Sequence, residues 1–347
     1  MQSIRILITG AGSGVGQGII KALRLANLPT TLVSSDITPL NSGLFRTDES
    51  ILLPKVEDEG SLTIIILRIK EKRINVVMVG SEFDLEFFSL HKDEIESKTG
   101  AMVVVSSLET VRMSNDKWLT VEFLRKNNLP FAESYLPGGV DDSLEKAKEW
   151  GYPFILKTRI GTSNRNVHIV HKDQDLLHFF ESVPKPMLQK LIDLPNNDLG
   201  VEYTCSIFKC RDGSLVGPFT ARRTLRGGNS WVVEVDRFKV LYPLVIAIGK
   251  IVPSMGSLNV QLMLTSNGPI PFEFNARFSG TTAVRAYFGF NEPEMVLQDY
   301  YLKESLPEVV IRKGLALRYL EEVFLEGLAS VDLENDVLPK GEVMQWF

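Results

Sequence analysis

Leu258 to Arg277 reads LNVQLMLTSNGPIPFEFNAR, and the fold turns on how this stretch is paired. Residues 258–265 are apolar and β-prone, Ser266-Asn267-Gly268 supplies turn chemistry, and residues 269–275 resume the strand. A three-residue loop at 266–268 sets Gln261 directly opposite Glu273. Strand periodicity then puts Glu273 and Asn275 on one face, with Arg277 two residues further on. Two oxygen donors on one strand and a third across the hairpin suit Mg²⁺ (or Mn²⁺), which takes oxygen ligands and shares them with substrate phosphates. Gln261, Glu273 and Asn275 are therefore the expected metal ligands, and Arg277 is expected to grip a phosphate held by the same metals. The pattern calls for a nucleotide.

The rest of the chain narrows the setting. Its 347 residues suffice for two or three domains with buried cores. With 44% hydrophobic and 23% charged residues, the composition is that of an ordinary soluble globular protein. A formal net charge of −5 argues against a nucleic-acid groove or a basic membrane-binding face, so any phosphate must be met by a local concentration of Lys and Arg. No apolar run reaches the length of a membrane span, and Met1 leads into a strand without a signal-peptide pattern. Cys205 and Cys210 lack metal-type spacing and read as two reduced thiols. The expected location is cytoplasmic. His168 and His171 fall in a strand-like segment that aims them at opposite faces, which sets them aside as ligands.

Residues 1–106 alternate strand and helix: strands at 4–9, 31–35, 75–80 and 101–106, helices at about 14–27 and 60–72. This is the pattern of a parallel, doubly wound sheet. A second unit follows, with a helix after Asn115, another near 142–150, strands at 153–158, 166–170 and 186–191, and a helix at 173–182. Residues 200–275 read mostly as strands around one helix at 240–252, and residues 281–303 read as helical.

Thr9 to Gly16, TGAGSGVG, sits between the first strand and the first helix, with Asp36 near the place of a ribose-binding acid. Alone it suggests NAD(P). A short-chain dehydrogenase also needs a Tyr-x-x-x-Lys pair, and no Tyr here has Lys four residues later. The glycines then say only that the backbone turns tightly and opens helix N–H groups to an anion. Ser81, Glu82 and Asp84, after a strand, are candidates for contacting a substrate amine or hydroxyl.

The hairpin resembles the metal-binding strand pair of the ATP-grasp superfamily, closest to its carbamoyl-phosphate synthase large-subunit branch, with N-A-R for the usual N-P-R. The resemblance implies an α/β, doubly wound parallel-sheet (pre-ATP-grasp) domain over residues 1–108. It is followed by a two-lobed α+β ATP-grasp domain: a small lobe at 109–190, a large lobe with the metal site at 191–315, and a tail or small element at 316–347. It further implies that Lys157 reaches the α-phosphate and adenine, with Lys117 as the earlier basic residue. Gly161, Thr162, Ser163 and Asn164 take the place of the phosphate-covering loop. Met187 to Ile192 takes the place of the adenine hinge, with Gln189 where an acid often stands and the backbone of Lys190 and Leu191 on the adenine edge; Glu202 matches the ribose-binding glutamate.

Residues 221–236, ARRTLRGGNSWVVEVD, place Arg222, Arg223 and Arg226 before a Gly227-Gly228 turn. Arginines beside a magnesium site suit a carboxylate, an acyl phosphate or the transferred phosphoryl group. Arg285, eight residues past Arg277, is expected to clamp a substrate carboxylate. Where Gly280 stands the synthetase has an arginine, and neither a second catalytic half nor a glutaminase partner domain is seen, which counts against bicarbonate as substrate. The reading is an ATP-grasp ligase that uses ATP and Mg²⁺ to join a small-molecule carboxylate to an amine, with a homodimer allowed. An NAD(P)-dependent oxidoreductase and a nucleotide-binding regulatory protein without ligase activity stay open as alternatives.

Overall fold

The computed structural model describes residues 3–161, 166–192, 202–333 and 342. Among them the first five strands, β1 (Ile4–Ile8), β2 (Thr30–Asp36), β3 (Glu49–Leu52), β4 (Val76–Met78) and β5 (Met102–Val104), form one sheet in the order β3-β2-β1-β4-β5. Every pairing in it is parallel. Strand periodicity divides its residues between two cores. Ile6, Ile8 and Met78 lie in one cluster with Ile19 and Leu23, whereas Leu7, Val33, Val77 and Val103 lie in another with Ile65, Phe88 and Val111. Ile19 and Leu23 belong to helix α1 (Gly14–Arg24), whose Ser13 N-cap accepts a hydrogen bond from the Gly16 N–H. The order reverses between β1 and β4, so the loops after them flank the crevice at the carboxyl ends of the strands.

Strands β6 (Ser134–Tyr135), β7 (Phe154–Thr158), β8 (Val167–Val170) and β9 (Pro186–Lys190) make a small antiparallel sheet in the order β6-β9-β7-β8. It has a core of its own, built from Phe154, Leu156, Val170, Leu176 and Leu188 with Ala147. The third sheet runs β14-β13-β10-β11-β12-β15, from β10 (Glu202–Lys209), β11 (Leu215–Arg226), β12 (Asn229–Val235), β13 (Gly256–Thr265), β14 (Gly268–Asn275) and β15 (Gly314–Leu317). The Gly227-Gly228 turn, both residues at positive φ, joins β11 to β12 as the hairpin geometry requires.

The parallel sheet and the large antiparallel sheet share one continuous core: Ile6, Ile8 and Ile19 are clustered with Phe208, Phe219 and Phe290. Ser106 Oγ donates to the Ala276 carbonyl at 3.0 Å, and Asn291 Nδ2 to the Ala22 carbonyl at 2.9 Å, pinning the two units at separate points. The helix Lys117–Lys126, expected with the small lobe, packs on the large sheet instead. Its Leu124 shares a core with Phe274, and Phe123 meets the Phe274 ring edge-on at 5.8 Å.

Several elements escaped the sequence reading. β3, β6 and β15 are short edge strands, and two helices, Leu85–Leu90 and Lys92–Thr99, fill the interval between β4 and β5. Residues 281–303 divide into Thr282–Tyr287, Glu292–Val296 and a wide turn at Leu297–Tyr301, because Gly289 takes a positive φ and Pro293 follows.

Candidate active site

Gln261 stands opposite Glu273, but by a different route from the one expected. The turn has two residues, Ser266 and Asn267, since Thr265 pairs with Gly268. A bulge at Phe272, between the Leu262–Pro271 and Gln261–Glu273 pairs, then restores the register. A bulge also breaks alternation, so adjacent residues can share a face. Phe272 and Glu273 accordingly both line the cleft below. Glu273 Oε1 accepts from Gln261 Nε2 at 3.2 Å and from Asn275 Nδ2 at 2.8 Å. One carboxylate and two amides thus converge on a point. Rotation of the two amides about their terminal bonds would turn both oxygens to a cation in place of the N–H groups. The donor set is hard and oxygen-only, which fits Mg²⁺ or Mn²⁺, with one protein charge and nucleotide phosphates to supply the rest.

The cleft encloses about 290 Å³ and has walls from all three sheets. Glu202, Arg223, Gln261 and Glu273 come from the large sheet, Lys117 from the helix packed on it, Thr158, Gly161 and Val167 from the small-lobe side, and Ser13, Gly14 and Val15 from the start of α1. Asn275 joins Glu273, Lys117 and Gly161 around a smaller annex of about 100 Å³. Lys117 Nζ donates to the Gly161 carbonyl at 2.8 Å. Asp116, the N-cap of the Lys117 helix, takes a bidentate pair from Arg159 at 3.1 and 2.6 Å, which fixes the chain entering Gly161. Thr162, Ser163 and Asn164 lie outside the described residues.

Lys157 is buried on β7, where its ammonium donates to Gln189 Oε1 at 2.9 Å. Gln189 Nε2 in turn donates to Ser134 Oγ at 3.0 Å, so the amide holds the lysine in place. Burial first, and then the charge of Lys117, push the Lys157 ammonium down to about 8, against the opposing pull of Glu273. A buried cation whose partner among the described residues is an amide is poised for an anion. At Lys190 the N–H is committed to the Glu133 carbonyl at 2.8 Å and the ammonium to the Glu133 carboxylate at 2.8 Å. Leu191, at the exposed end of that edge, is the next residue along.

Arg277 is buried and ion-paired with Glu82 of the loop after β4. Its Nη1 donates to the Phe278 carbonyl at 2.8 Å, and its Nε has no partner among the described residues. Burial, followed by the charge of Arg285, lowers it to about 10, so it stays protonated at neutral pH. Ser81 and Glu82 face the cleft, whereas Asp84 turns away to accept from Thr9 Oγ1 at 2.8 Å. Burial raises the Asp84 carboxyl to about 6.

The arginines divide differently from the sequence reading. Arg222 and Arg223 are consecutive in β11, and alternation sends them to opposite faces. Arg223 faces the cleft, pairing with Glu202 and donating to Gln261 Oε1 at 2.9 Å and to Ser230 Oγ at 3.1 Å. Arg222 points the other way, onto Glu234 at 3.0 Å, and is withdrawn from the site. Arg226 stacks over the Trp231 ring at 4.8 Å. Arg285 is wholly buried, paired with Glu292 at 3.0 Å and hydrogen-bonded to Asn259, and so cannot clamp a substrate. It supports the cleft from below, through Asn259. Asn259 itself was missed, although the alternation that picked out Gln261 also selects the residue two positions earlier.

The glycine turn borders a separate pocket of about 390 Å³, lined by Gly10, Gly12, Ser13, Asp36 and Asn41. The Gly12 N–H donates to the Asp36 carboxylate at 3.0 Å, and a Cβ on Gly12 would come within 1.8 Å of Asn41 Nδ2. The Asp36 carboxylate thus takes one of the N–H groups that the turn offers.

No family model matches the sequence. Among solved structures, the biotin carboxylase domain of 2-oxoglutarate carboxylase from Hydrogenobacter thermophilus, in complex with MgADP, ADP and bicarbonate, superposes with a TM-score of 0.73 at 14% identity, covering 100% of this chain and 84% of that one. Carboxyaminoimidazole ribonucleotide synthase from Aspergillus clavatus, complexed with ATP, gives 0.71 at 15% identity over 91% of this chain and 81% of the other. A biotin carboxylase from Campylobacter jejuni gives 0.70 at 18% identity, over 90% and 74%. Likeness at this level of identity establishes a shared fold, that of the ATP-grasp proteins.

Proposed function

We propose that this chain, with its ATP-grasp fold, is an ATP-dependent carboxylate–amine ligase that uses Mg²⁺. One observation carries the reading: Glu273, Gln261 and Asn275 converge on the same cleft as Arg277, Lys117 and the start of α1. Oxygen donors, cations and a helix N-terminus around one space suit a polyphosphate beside a carboxylate.

In this reading Lys157 holds the phosphates from the small lobe and Lys117 from the helix on the large sheet, and Phe272 offers apolar surface to the nucleotide. Glu273, Asn275 and Gln261 would hold Mg²⁺, which would supply neutralisation of charge on the transferring phosphoryl group. Arg277, kept in position by Glu82, places the acceptor carboxylate in line with the γ-phosphate. A carboxylate oxygen attacks the γ-phosphorus and ADP leaves. The amine then attacks the carbonyl carbon of the acyl phosphate, losing a proton as phosphate departs. Arg223 stabilises negative charge on the phosphoryl group.

The test is Mg²⁺-dependent ADP release from the full chain, screened over pairs of carboxylates and amino acids. The expected result is turnover with one pair that needs both members. MgADP binding without ADP release from any pair would instead mark a nucleotide-binding protein that is not a ligase.

A further inference from the structure

We propose that the substrate side of the cleft continues past Gly280 into a second pocket, which seats an anionic group, carboxylate or phosphate, carried by the molecule that reacts at the metal centre. This pocket encloses about 530 Å³ and adjoins the cleft through Gly14, Asn229, Ser230, Gly280 and Arg318, which line both.

Three cations from distant parts of the chain meet there: Lys21 at the end of α1, Arg46, and Arg318 just after β15. Glu321 is the single acid in the lining among the described residues, and it pairs with Arg46 at 3.1 Å. Arg318 donates only to a neutral acceptor, the Gly280 carbonyl, at 3.0 Å. Among the described residues the lining therefore keeps two positive charges in excess, in a protein whose net charge is −5. Burial, then the charges of Arg46 and Arg318, hold the Lys21 ammonium below its usual range, so the three are close enough to repel. Such a cluster is costly unless an anion joins it.

Gly280 keeps the way open. A Cβ there would meet no atom within 4 Å, and no positive φ demands a glycine at that position. Trp231, Tyr319 and Leu320 add aromatic and apolar wall, which suits the body of an organic molecule better than a free ion. The identification of this anion as part of a substrate rests on the ligase reading; the anion pocket itself does not.

Calorimetry tests the proposal on the full chain with MgADP present, using inorganic phosphate in one series and succinate in the other, at constant ionic strength set with chloride. At least one should bind, and the preferred one names the group. Lys21→Gln and Arg46→Gln should each weaken it about fivefold or more, while Arg46→Lys stays within about twofold. MgADP affinity should hold in all three, and unchanged melting temperatures would show that the variants fold. No binding of either anion, or equal binding by wild type and both glutamine variants, would overturn the pocket. If MgADP fails to bind while phosphate affinity still depends on Lys21, the pocket stands and the ligase reading falls.

Discussion

Lys157 shows best how a residue's environment bears on its work. Its ammonium is pushed down to about 8 from an ordinary 10.5, chiefly by burial. Between those values the unfolded chain binds more protons than the folded one, so stability of the ligand-free protein rises as pH climbs through that window. Below about 8 both states are protonated, and the cost of burying the charge is present in full. A nucleotide phosphate beside the ammonium would restore the charged form. Binding of MgADP near pH 9 should therefore take up as much as about one proton, read by calorimetry in two buffers of different ionisation enthalpy. Release of protons, or no buffer dependence, would contradict the placement of Lys157 at the phosphates. At this scale the residue types were legible but their directions were not. Arg222 and Arg223 look equivalent in sequence, and only the strand register assigns one to the cleft and the other to Glu234.

The hairpin shows what an element adds to its residues. Ser266-Asn267-Gly268 announced a turn, and the pairing of Gln261 with Glu273 followed from counting, yet the count worked because a bulge offset a shorter turn. Nothing in PIPFEFN marks Phe272 as the extra residue, because bulges are set by the pull of neighbouring strands and the twist of the sheet. The short strands β3, β6 and β15 were illegible for a related reason: edge pairing of four residues or fewer leaves too little periodicity to read. Asp116 was equally silent in its second role. It both caps the helix at Lys117 and receives Arg159 from the chain leading to Gly161. Asp116→Ala should cost about 2–4 kcal/mol in urea unfolding, the sum of a lost cap and stranded charge-assisted bonds. Its MgADP affinity should fall as Lys117 loses its mooring. An unaltered unfolding midpoint would show that the clamp contributes nothing.

The whole molecule combines a rigid pair with a separate piece. The parallel sheet and the large antiparallel sheet share one core, so the loops after β1 and β4 are held against the metal hairpin. The small sheet has its own core and meets the others across the cleft. Hydrogen exchange should therefore show β7 and β9 gaining protection when MgADP bridges the cleft, while β1 and β4 in the shared core change little. Equal protection of all sheets, or none, would count against a small lobe that closes as a unit. Patterning made the layers of this architecture legible, since each depends on long, strongly periodic segments. The docking was not, because Ile6 lies more than 200 residues from Phe219 and Phe290 in the chain and nothing local records their meeting.

The central claim is that the Gln261–Glu273–Asn275 cluster is a metal-dependent nucleotide site. Titration of ADP into the full chain, with Mg²⁺ and then with EDTA, tests it most directly when repeated on Glu273→Ala. The account predicts binding that weakens about tenfold or more on removing Mg²⁺, and a variant that folds as well as wild type but gains nothing from the metal. Affinity indifferent to both Mg²⁺ and Glu273, or binding of NADPH in place of ADP, would contradict it.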